Sequence, residues 1–320
     1  MGQKKNPNIL RLGVSKNWKT EFFEKKKKEL PLYIFKDLEI QGYLERFLEN
    51  KNFFIHNYSQ YYSNNTLNLY ISYFVPVKSS LIKNSKTKTF CLVNTTGHKK
   101  FVCYTSDNFS SNLDSIEIID NKNAFKKMYK LKKYLKFNKF QSSYLYFNLF
   151  ENSLENMLGV ISNFMSNKFD IKISFSCINK DFNHLNVLKT KKIRMLRKFK
   201  FASFFKDGLE LLFHVAFNKN SARLLAKFIS VQLKTINRFN YFLTFIKSTL
   251  GILISSKLST LKGVKIMLKG RLSKGPRAKH KILIIGDVAV QKFNSNIDYF
   301  QTTTHNANGS YGIKVWIVNK

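Results

Sequence analysis

The residues of this sequence that are suited to chemistry are cations placed beside glycine. Arg271 directly follows a glycine, and Arg277 and Lys279 follow a Gly-Pro pair at 275–276. Glycine allows a backbone to approach a phosphate closely, and a Gly-Pro turn projects the side chains that follow it. Guanidinium and ammonium groups bind phosphate oxygens. This pattern indicates phosphate contacts, and the alternative interpretation is a turn whose charges are only solvated.

The sequence contains no pattern typical of a catalytic or metal site. Carboxylates are scarce, with 19 Asp and Glu, the six His lie far apart, and neither an HExxH nor a GxSxG motif occurs. Cys91, His98 and Cys103 do not have the spacing of a zinc knuckle. We therefore predict that the protein is not an enzyme and that it binds no cofactor and no metal.

The net charge favours nucleic acid as the partner. The 320 residues include 55 Lys and Arg, which gives a net charge of +36. Cations that neutralise phosphates release condensed counterions, so binding to a polyanion is favourable. Of the longest apolar segments, 242–254 is interrupted by Lys247 and 282–285 is short. A membrane-spanning helix needs about 20 apolar residues. We expect no membrane partner.

Hydrophobic periodicity in the N-terminal half predicts a KH-like domain that is interrupted by an insertion. A basic arm covers 1–35, and 76–150 has no sustained period, which predicts a partly disordered insertion. The other segments show helix or strand periods: a helix over 36–50, strands over 53–58 and 66–74, a helix over 152–168 and a strand over 170–178. This is the element order of a type II KH domain, assigned to 36–180.

The C-terminal part predicts a second domain, over 219–320. Residues 181–218 are interpreted as a basic insertion or linker, and 219–255 show helical spacing. Apolar and polar residues alternate over 263–272 and over 311–318, which predicts two strands, and 280–290 is predicted to be a buried strand. One apolar face opposite a face with lysines suits a sheet that packs on helices and lies against RNA. We predict an α+β protein whose second domain is α/β, with two helices on a small sheet.

Motifs at both ends resemble those of the small-subunit ribosomal protein 3 family. The N-terminus reads MGQKKNPNILRLG, and the C-terminal part contains GVKIMLKGRL, GPRAKHKI, NIDY and YGIKVWI. The GPRA form is similar to that of organellar members, especially mitochondrial ones. The resemblance implies a structural constituent of the mitochondrial small ribosomal subunit, which binds rRNA in the head and lines the mRNA entrance. A plastid ribosomal protein of the same family and a free KH-type RNA-binding factor are the alternatives.

The resemblance also implies partners and a location. The partners are small-subunit rRNA, mRNA, and neighbouring head proteins that resemble ribosomal proteins ten and fourteen. The location is the mitochondrial matrix. Because the N-terminus shows neither a secretory nor a transit pattern, we expect the protein to be encoded in the organelle.

Matching the family motifs residue by residue gives candidate contacts. Those with rRNA are Lys4, Lys5, Asn6, Pro7, Arg11, Arg271, Pro276, Arg277 and Lys279. At the mRNA entrance, where the family carries two arginines and a lysine, the alignment places Asn240, Tyr241 and Thr244. Nearby cations that could substitute are Lys234, Arg238 and Lys247. The RNA-gripping GxxG loop of KH domains is reduced to the sequence GHKK at 97–100, so we expect the KH-like unit to be a scaffold.

Overall fold

The fold is taken from a computed structural model. It describes residues 5–320 apart from 25, 27, 64, 77–88, 96–97, 105–140, 166–168, 179–193, 219–220, 237–238, 257–258, 272–276 and 307–308. The described residues form two packed units, each with one mixed or antiparallel sheet covered by helices. The prediction of an α+β protein is confirmed.

The first unit is a six-stranded sheet that follows a short N-terminal helix, α1 (Pro7–Leu10). Its elements in chain order are β1 (Thr20–Glu21), α2 (Leu30–Asn50), β2 (Phe54–Tyr62), β3 (Thr66–Phe74), β4 (Thr89–Thr95), β5 (His98–Tyr104), α3 (Gln141–Phe164) and β6 (Asp170–Cys177). The strand order is β1-β2-β3-β6-β4-β5. The pairs β1–β2 and β3–β6 are parallel, and the others are antiparallel.

The core of this unit forms where the predicted apolar stripes meet. Alternate residues of β3 and β6 point to the same side, and Leu67, Leu69, Ile171 and Ile173 are fully buried there. Helices α2 and α3 cover that side with residues at helical spacing. In α2 the buried residues are Ile40, Leu44 and Leu48, at i, i+4 and i+8, whereas Leu38 is 63% exposed.

The predicted insertion over 76–150 contains regular structure. Strand β4 pairs with β6 and β5 pairs with β4, so a hairpin extends the sheet. Helix α3 begins at Gln141 rather than at 152. The side of β6 that faces away from β3 offers unpaired backbone groups, and pairing satisfies them. The remainder of the insertion lies outside the described residues.

The second unit places three helices on one face of a four-stranded antiparallel sheet. A 3₁₀ helix (Arg194–Phe199) leads into it. Its elements are α4 (Phe205–Phe217), α5 (Ala222–Thr235), α6 (Phe239–Ile254), β7 (Leu261–Gly270), β8 (Lys279–Gly286), β9 (Ile297–Asn306) and β10 (Gly309–Asn319). The strand order is β8-β7-β10-β9. Val264, Ile266 and Leu268 face the helices, as their alternation predicted.

Two predictions about this unit were wrong. Residues 181–218 are not only a linker, because α4 lies within them and is buried over most of its length, which makes three core helices rather than two. The segment 280–290 is not a buried strand, because β8 lies at the sheet edge and one of its faces is open. Ile282 and Ile284 on that face are 44% and 56% exposed.

Candidate nucleic-acid interface

The outward face of the four-stranded sheet combines lysines with aromatic rings. The helices pack on the opposite face, so the residues that alternate with the core residues point outward. In one row across the strands, Lys265 lies opposite Trp316, which lies opposite Tyr299. The Lys265 Nζ is 5.4 Å from the centroid of the Trp316 ring, and the Tyr299 ring is 5.2 Å from it. This row offers flat rings beside a cation, which is a surface suited to nucleotides.

The charge of this face is positive and not balanced by acids. Lys265, Lys269 and Lys314 all stand at outward positions. Within the four strands the one acid is Asp298, and it faces the helices. Its Oδ2 accepts a hydrogen bond from the Ala222 backbone N–H at 2.7 Å, at the start of α5. The outward face therefore attracts phosphate without an internal competitor.

Three of the predicted rRNA contacts lie together at one corner of this sheet. Gly270 ends β7 with a φ of +146°, and a Cβ there would lie 2.5 Å from the Ser310 carbonyl oxygen, so only glycine fits. Gly270 pairs with Lys279 of β8 and immediately precedes Arg271. Arg271, Arg277 and Lys279 are exposed. Pro276 lies outside the described residues.

The predicted contacts in the N-terminal arm differ in exposure: Lys5 and Asn6 are exposed, whereas Pro7 and Arg11 are buried. The Asn6 side chain accepts a hydrogen bond from the Asn8 N–H at 3.0 Å. Asn8 in turn donates to the Tyr299 carbonyl at 2.7 Å and accepts from its N–H at 3.2 Å. The Asn8 amide thus imitates a neighbouring strand at the edge of β9. Lys4 lies outside the described residues.

Arg11 is predicted from the sequence to contact rRNA, but it lies inside the protein. Its side chain is completely buried. The guanidinium donates to the carbonyl oxygens of Pro7, Val290, Lys292 and Ser295 at 2.6–3.1 Å, and to the Ser295 hydroxyl at 3.2 Å. A planar fork of five N–H donors suits several acceptors at once. Arg11 therefore fastens the arm to the loop before β9, and we withdraw it from the set of RNA contacts.

Four of the six predicted mRNA-facing residues lie on one exposed face of α6. Asn240, Tyr241, Thr244 and Lys247 are exposed on α6. Lys234 is exposed near the end of α5, and Arg238 lies outside the described residues. Two nearby lysine residues contact this face, because Lys281 Nζ donates to the Asn240 side-chain oxygen and the Lys198 carbonyl accepts from the Tyr241 hydroxyl.

The segment that packs against α6 contains an exposed ring that sequence reasoning missed. Phe199 and Phe204, two aromatic residues among cations, are buried at 1% and 3% exposure. Phe201 lies between them in sequence and is 95% exposed. The available signal was the sequence KFKF at 198–201, in which alternate rings take opposite environments.

An ionic cluster joins the two units. Glu45 of α2 pairs with Arg223 of α5, and with Lys227 at 3.3 Å. Lys227 also reaches Glu49 at 2.5 Å. Burial would raise the pKa of Glu45, but Arg223 and Lys227 hold that pKa below its ordinary value. The Arg223 side chain is only 5% exposed, so the cluster fixes the placement of α2 against α5.

The described part of the chain contains neither a cluster of metal-ligand side chains nor a membrane-spanning helix. No group of three or more His, Cys, Asp or Glu side chains there is arranged to hold a metal ion. None of its helices has both the length and the apolar character required to span a bilayer.

Comparison with known families identifies the C-terminal segment. Residues 243–317 match the family described as "Ribosomal protein S3, C-terminal domain". The match covers most of α6 and strands β7–β10, and so contains the cationic corner and nearly all of the outward face.

Similar individual proteins carry related names. The small ribosomal subunit protein uS3c of Euglena longa is 29% identical over 151 residues, which is 43% of this chain and 62% of that protein. The protein uS3 of Fusobacterium nucleatum is 38% identical over 69 residues, or 22% of this chain and 32% of that protein. The uS3c of Chara vulgaris is 34% identical over 94 residues, or 29% and 40%. The chain thus spans less than two thirds of the length of each relative.

Proposed function

We infer that the chain belongs to the ribosomal protein S3 family, and on that premise we propose that it is a structural constituent of a mitochondrial small ribosomal subunit. In this role it binds rRNA in the head of the subunit. The family consists of structural proteins rather than enzymes, in agreement with the prediction from sequence.

One observation carries the proposal of rRNA binding. Arg271, Arg277 and Lys279 are exposed together at a corner of the sheet that lies within the family match, and Lys265, Lys269 and Lys314 extend the same charge across the outward face. Asp298, the one acid in these strands, points to the helices. Phosphate is the default acceptor for such a surface, because phosphate contacts outnumber base contacts. Lys5 and Asn6 are exposed in the arm and are proposed as further contacts, while Pro7 is buried and contributes to binding only indirectly.

The first unit is proposed to be a KH-like scaffold. Its order of helix, two antiparallel strands, helix, and a strand parallel to the second of them supports this assignment. His98, Lys99 and Lys100 belong to β5 and pair with β4. A strand engaged in a hairpin does not clamp a nucleotide backbone as a GxxG loop does. The unit therefore contributes shape, and the RNA contacts come from the second unit.

The exposed face of α6 is proposed to line the mRNA entrance. Asn240, Tyr241 and Thr244 are neutral, and they cannot grip phosphate as guanidinium groups do. Lys247 lies on the same face, Lys234 is exposed near the end of α5, and Arg238 directly precedes α6 in sequence. We propose that these cations supply the charge. We expect contact with mRNA here to be electrostatic and independent of base sequence.

The mitochondrial location and the neighbours are further parts of the proposal. The neighbours are head proteins that resemble ribosomal proteins ten and fourteen. Several relatives carry the plastid-type name uS3c, and that observation favours a plastid ribosome as the second candidate. Purified mitochondria and purified plastids are lysed, and their ribosomal subunits are separated on sucrose gradients. The protein should co-migrate with the small subunits of only one organelle.

A pair of matched variants tests rRNA binding. Arg271→Ala with Arg277→Ala removes two charges from the corner, and Lys26→Ala with Lys28→Ala removes two from the arm, where both residues are exposed. Each phosphate contact carries part of the affinity, so the first pair should weaken association with small-subunit rRNA at least about tenfold more than the second. Filter binding at fixed salt measures the difference.

The same measurement can contradict the proposal. Equal losses from the two pairs would mean that only total charge matters and that the corner is not a specific contact. Recovery of the protein on free RNA, with none on small subunits, would favour a free RNA-binding factor.

A further inference from the structure

The segment from the 3₁₀ helix to the start of α4 is firmly anchored on α6. The Phe199 ring lies 4.9 Å from the Tyr241 ring and 5.3 Å from the Phe245 ring, and the Phe204 ring lies 5.2 Å from Phe245. The Tyr241 hydroxyl donates to the Lys198 carbonyl. Backbone hydrogen bonds of 3.0–3.1 Å close the turns that follow. The segment is therefore held in one conformation by buried rings.

The anchored segment also carries one exposed ring with four cations close to it in sequence. Phe201 is 95% exposed, the most exposed of the large apolar residues in the described chain. Arg197, Lys198, Lys200 and Lys206 are also exposed. No ion pair involves any of these four within the residues that the structure describes. Asp207, the nearest acid in sequence, is buried.

The chemistry of this surface fits unpaired RNA. A solvent-exposed phenyl ring stacks on the face of any base that is not already stacked in a helix, and cations beside it bind the phosphates of the same strand. Duplex RNA offers phosphates but no free base face. An acidic protein would meet the charge requirement but would not need an isolated ring held among four cations. The geometry points to a binding site for single-stranded RNA on residues 197–206, with Phe201 as the stacking platform.

This site lies outside the segment that matches the S3 C-terminal domain and does not depend on the ribosomal role proposed above. It adjoins the exposed face of α6 through the contact between Tyr241 and Lys198. A strand bound at Phe201 would therefore continue along that face.

The test measures the affinity of the purified full-length chain for a short oligouridylate and for a duplex of the same length. Phe201→Ala should weaken binding to the single strand about tenfold, since one stacked base contributes that much, and it should leave duplex binding unchanged. Phe201→Trp should keep the affinity of the unchanged protein. Because Phe201 makes almost no internal contact, neither change should affect folding.

Two matched controls sharpen the result. Phe293→Ala removes another exposed ring, 58% exposed, that has only one cation, Lys292, within five residues in sequence, and it should leave affinity unchanged. Arg197→Gln with Lys200→Gln should weaken single-strand binding more than Lys26→Gln with Lys28→Gln. A thiouridine oligonucleotide should crosslink to the peptide that contains Phe201.

Three outcomes would overturn the inference. Equal losses for single strand and duplex in Phe201→Ala would show that the ring does not stack. An unchanged affinity in Phe201→Ala, with crosslinks elsewhere, would assign the patch to a protein partner. A loss in Phe293→Ala as large as that in Phe201→Ala would show a general effect of exposed rings.

Discussion

Arg11 and Arg271 show that one residue type can serve opposite purposes in the same protein. Arg271 is exposed at the cationic corner, whereas Arg11 is completely buried and donates to four carbonyl oxygens and a hydroxyl. A buried guanidinium is tolerated only when its donors are satisfied. In the sequence both residues are simply arginines within motifs. The difference arises because the loop before β9 closes around one of them.

Replacement of Arg11 should destabilise the protein. Arg11→Ala leaves several buried carbonyl oxygens without donors, and hydrogen bonds to charged groups are among the stronger ones, so we expect a loss of about 3 kcal/mol in the free energy of unfolding. Urea denaturation measures this loss.

The control for Arg11 separates structure from RNA binding. Lys5→Ala removes an exposed cation from the same arm and should leave stability unchanged. Arg11→Lys should also be destabilised, because an ammonium cannot reach the same set of acceptors. If Arg11→Ala kept full stability and lost only RNA affinity, the assignment of Arg11 to the interior would be wrong.

At the scale of elements, the sequences around α4 and β8 predict the wrong environment, for opposite reasons. Helix α4 follows a run of cations at 189–200. Because of that run, the whole segment 181–218 has the composition of a basic linker, although α4 itself is apolar. Strand β8 contains the continuous run ILII, which is typical of a strand buried on both faces. It lies instead at an edge, with one face open. Composition over a window does not reveal which neighbour an element will have.

Gly208 explains how α4 comes close to the other helices. A Cβ at this position would lie 2.9 Å from Phe245 Cε1 and 3.0 Å from Phe228 Cζ. Both rings are buried at 0% and 1% exposure, so neither can move freely. The glycine therefore permits a close contact between α4 and the rings of α5 and α6.

Two glycine substitutions should change stability in opposite directions. Gly208→Ala should lower the free energy of unfolding by about 1–3 kcal/mol, because it overpacks the core. Gly251→Ala, in α6, meets nothing within 4 Å and should raise it by about 0.5–1 kcal/mol through helix propensity. Thermal or urea unfolding of both variants checks the signs. A stabilised Gly208→Ala would mean that α4 does not pack as described.

At the scale of the whole molecule, the two units are joined by charge and by packing. Glu45 and Glu49 of α2 meet Arg223 and Lys227 of α5. The Phe74 ring of the first sheet lies 5.3 Å from the His214 ring of α4. These contacts orient the first unit against the second, which carries the candidate interface.

The ionic cluster should make stability depend on pH. Because the folded protein holds the pKa of Glu45 below its ordinary value, the cluster stabilises fully above the unfolded pKa of about 4.3 and loses this contribution as pH falls through the folded pKa. At neutral pH, Glu45→Gln should cost about 2 kcal/mol, because it leaves Arg223 buried without its partner. Urea denaturation between about pH 3 and pH 7 should show that the free energy of unfolding changes less with pH in the variant than in the unchanged protein.

An exposed ion pair provides the control for Glu45. Lys262 and Asp287 lie 3.2 Å apart, but their side chains are 51% and 67% exposed. Asp287→Asn should have little effect on the free energy of unfolding at neutral pH or on the way that free energy changes with pH, because solvent screens such pairs. Identical pH profiles for Glu45→Gln and the unchanged protein would show that the cluster does not join the units energetically.

By itself, the sequence predicted nucleic acid as the class of partner, and it determined the period of most elements and the family that the C-terminal segment matches. Net charge follows from composition alone, and the alternation in β3, β6, β7 and β10 and the motif over 311–317 are local patterns. Neither depends on which residues pack together in the fold. Only the tertiary structure decided that Arg11 is internal, that Phe201 is exposed while Phe199 is buried, and that β8 is an edge. Exposure depends on what packs beside a residue, and that is set by contacts between distant parts of the chain.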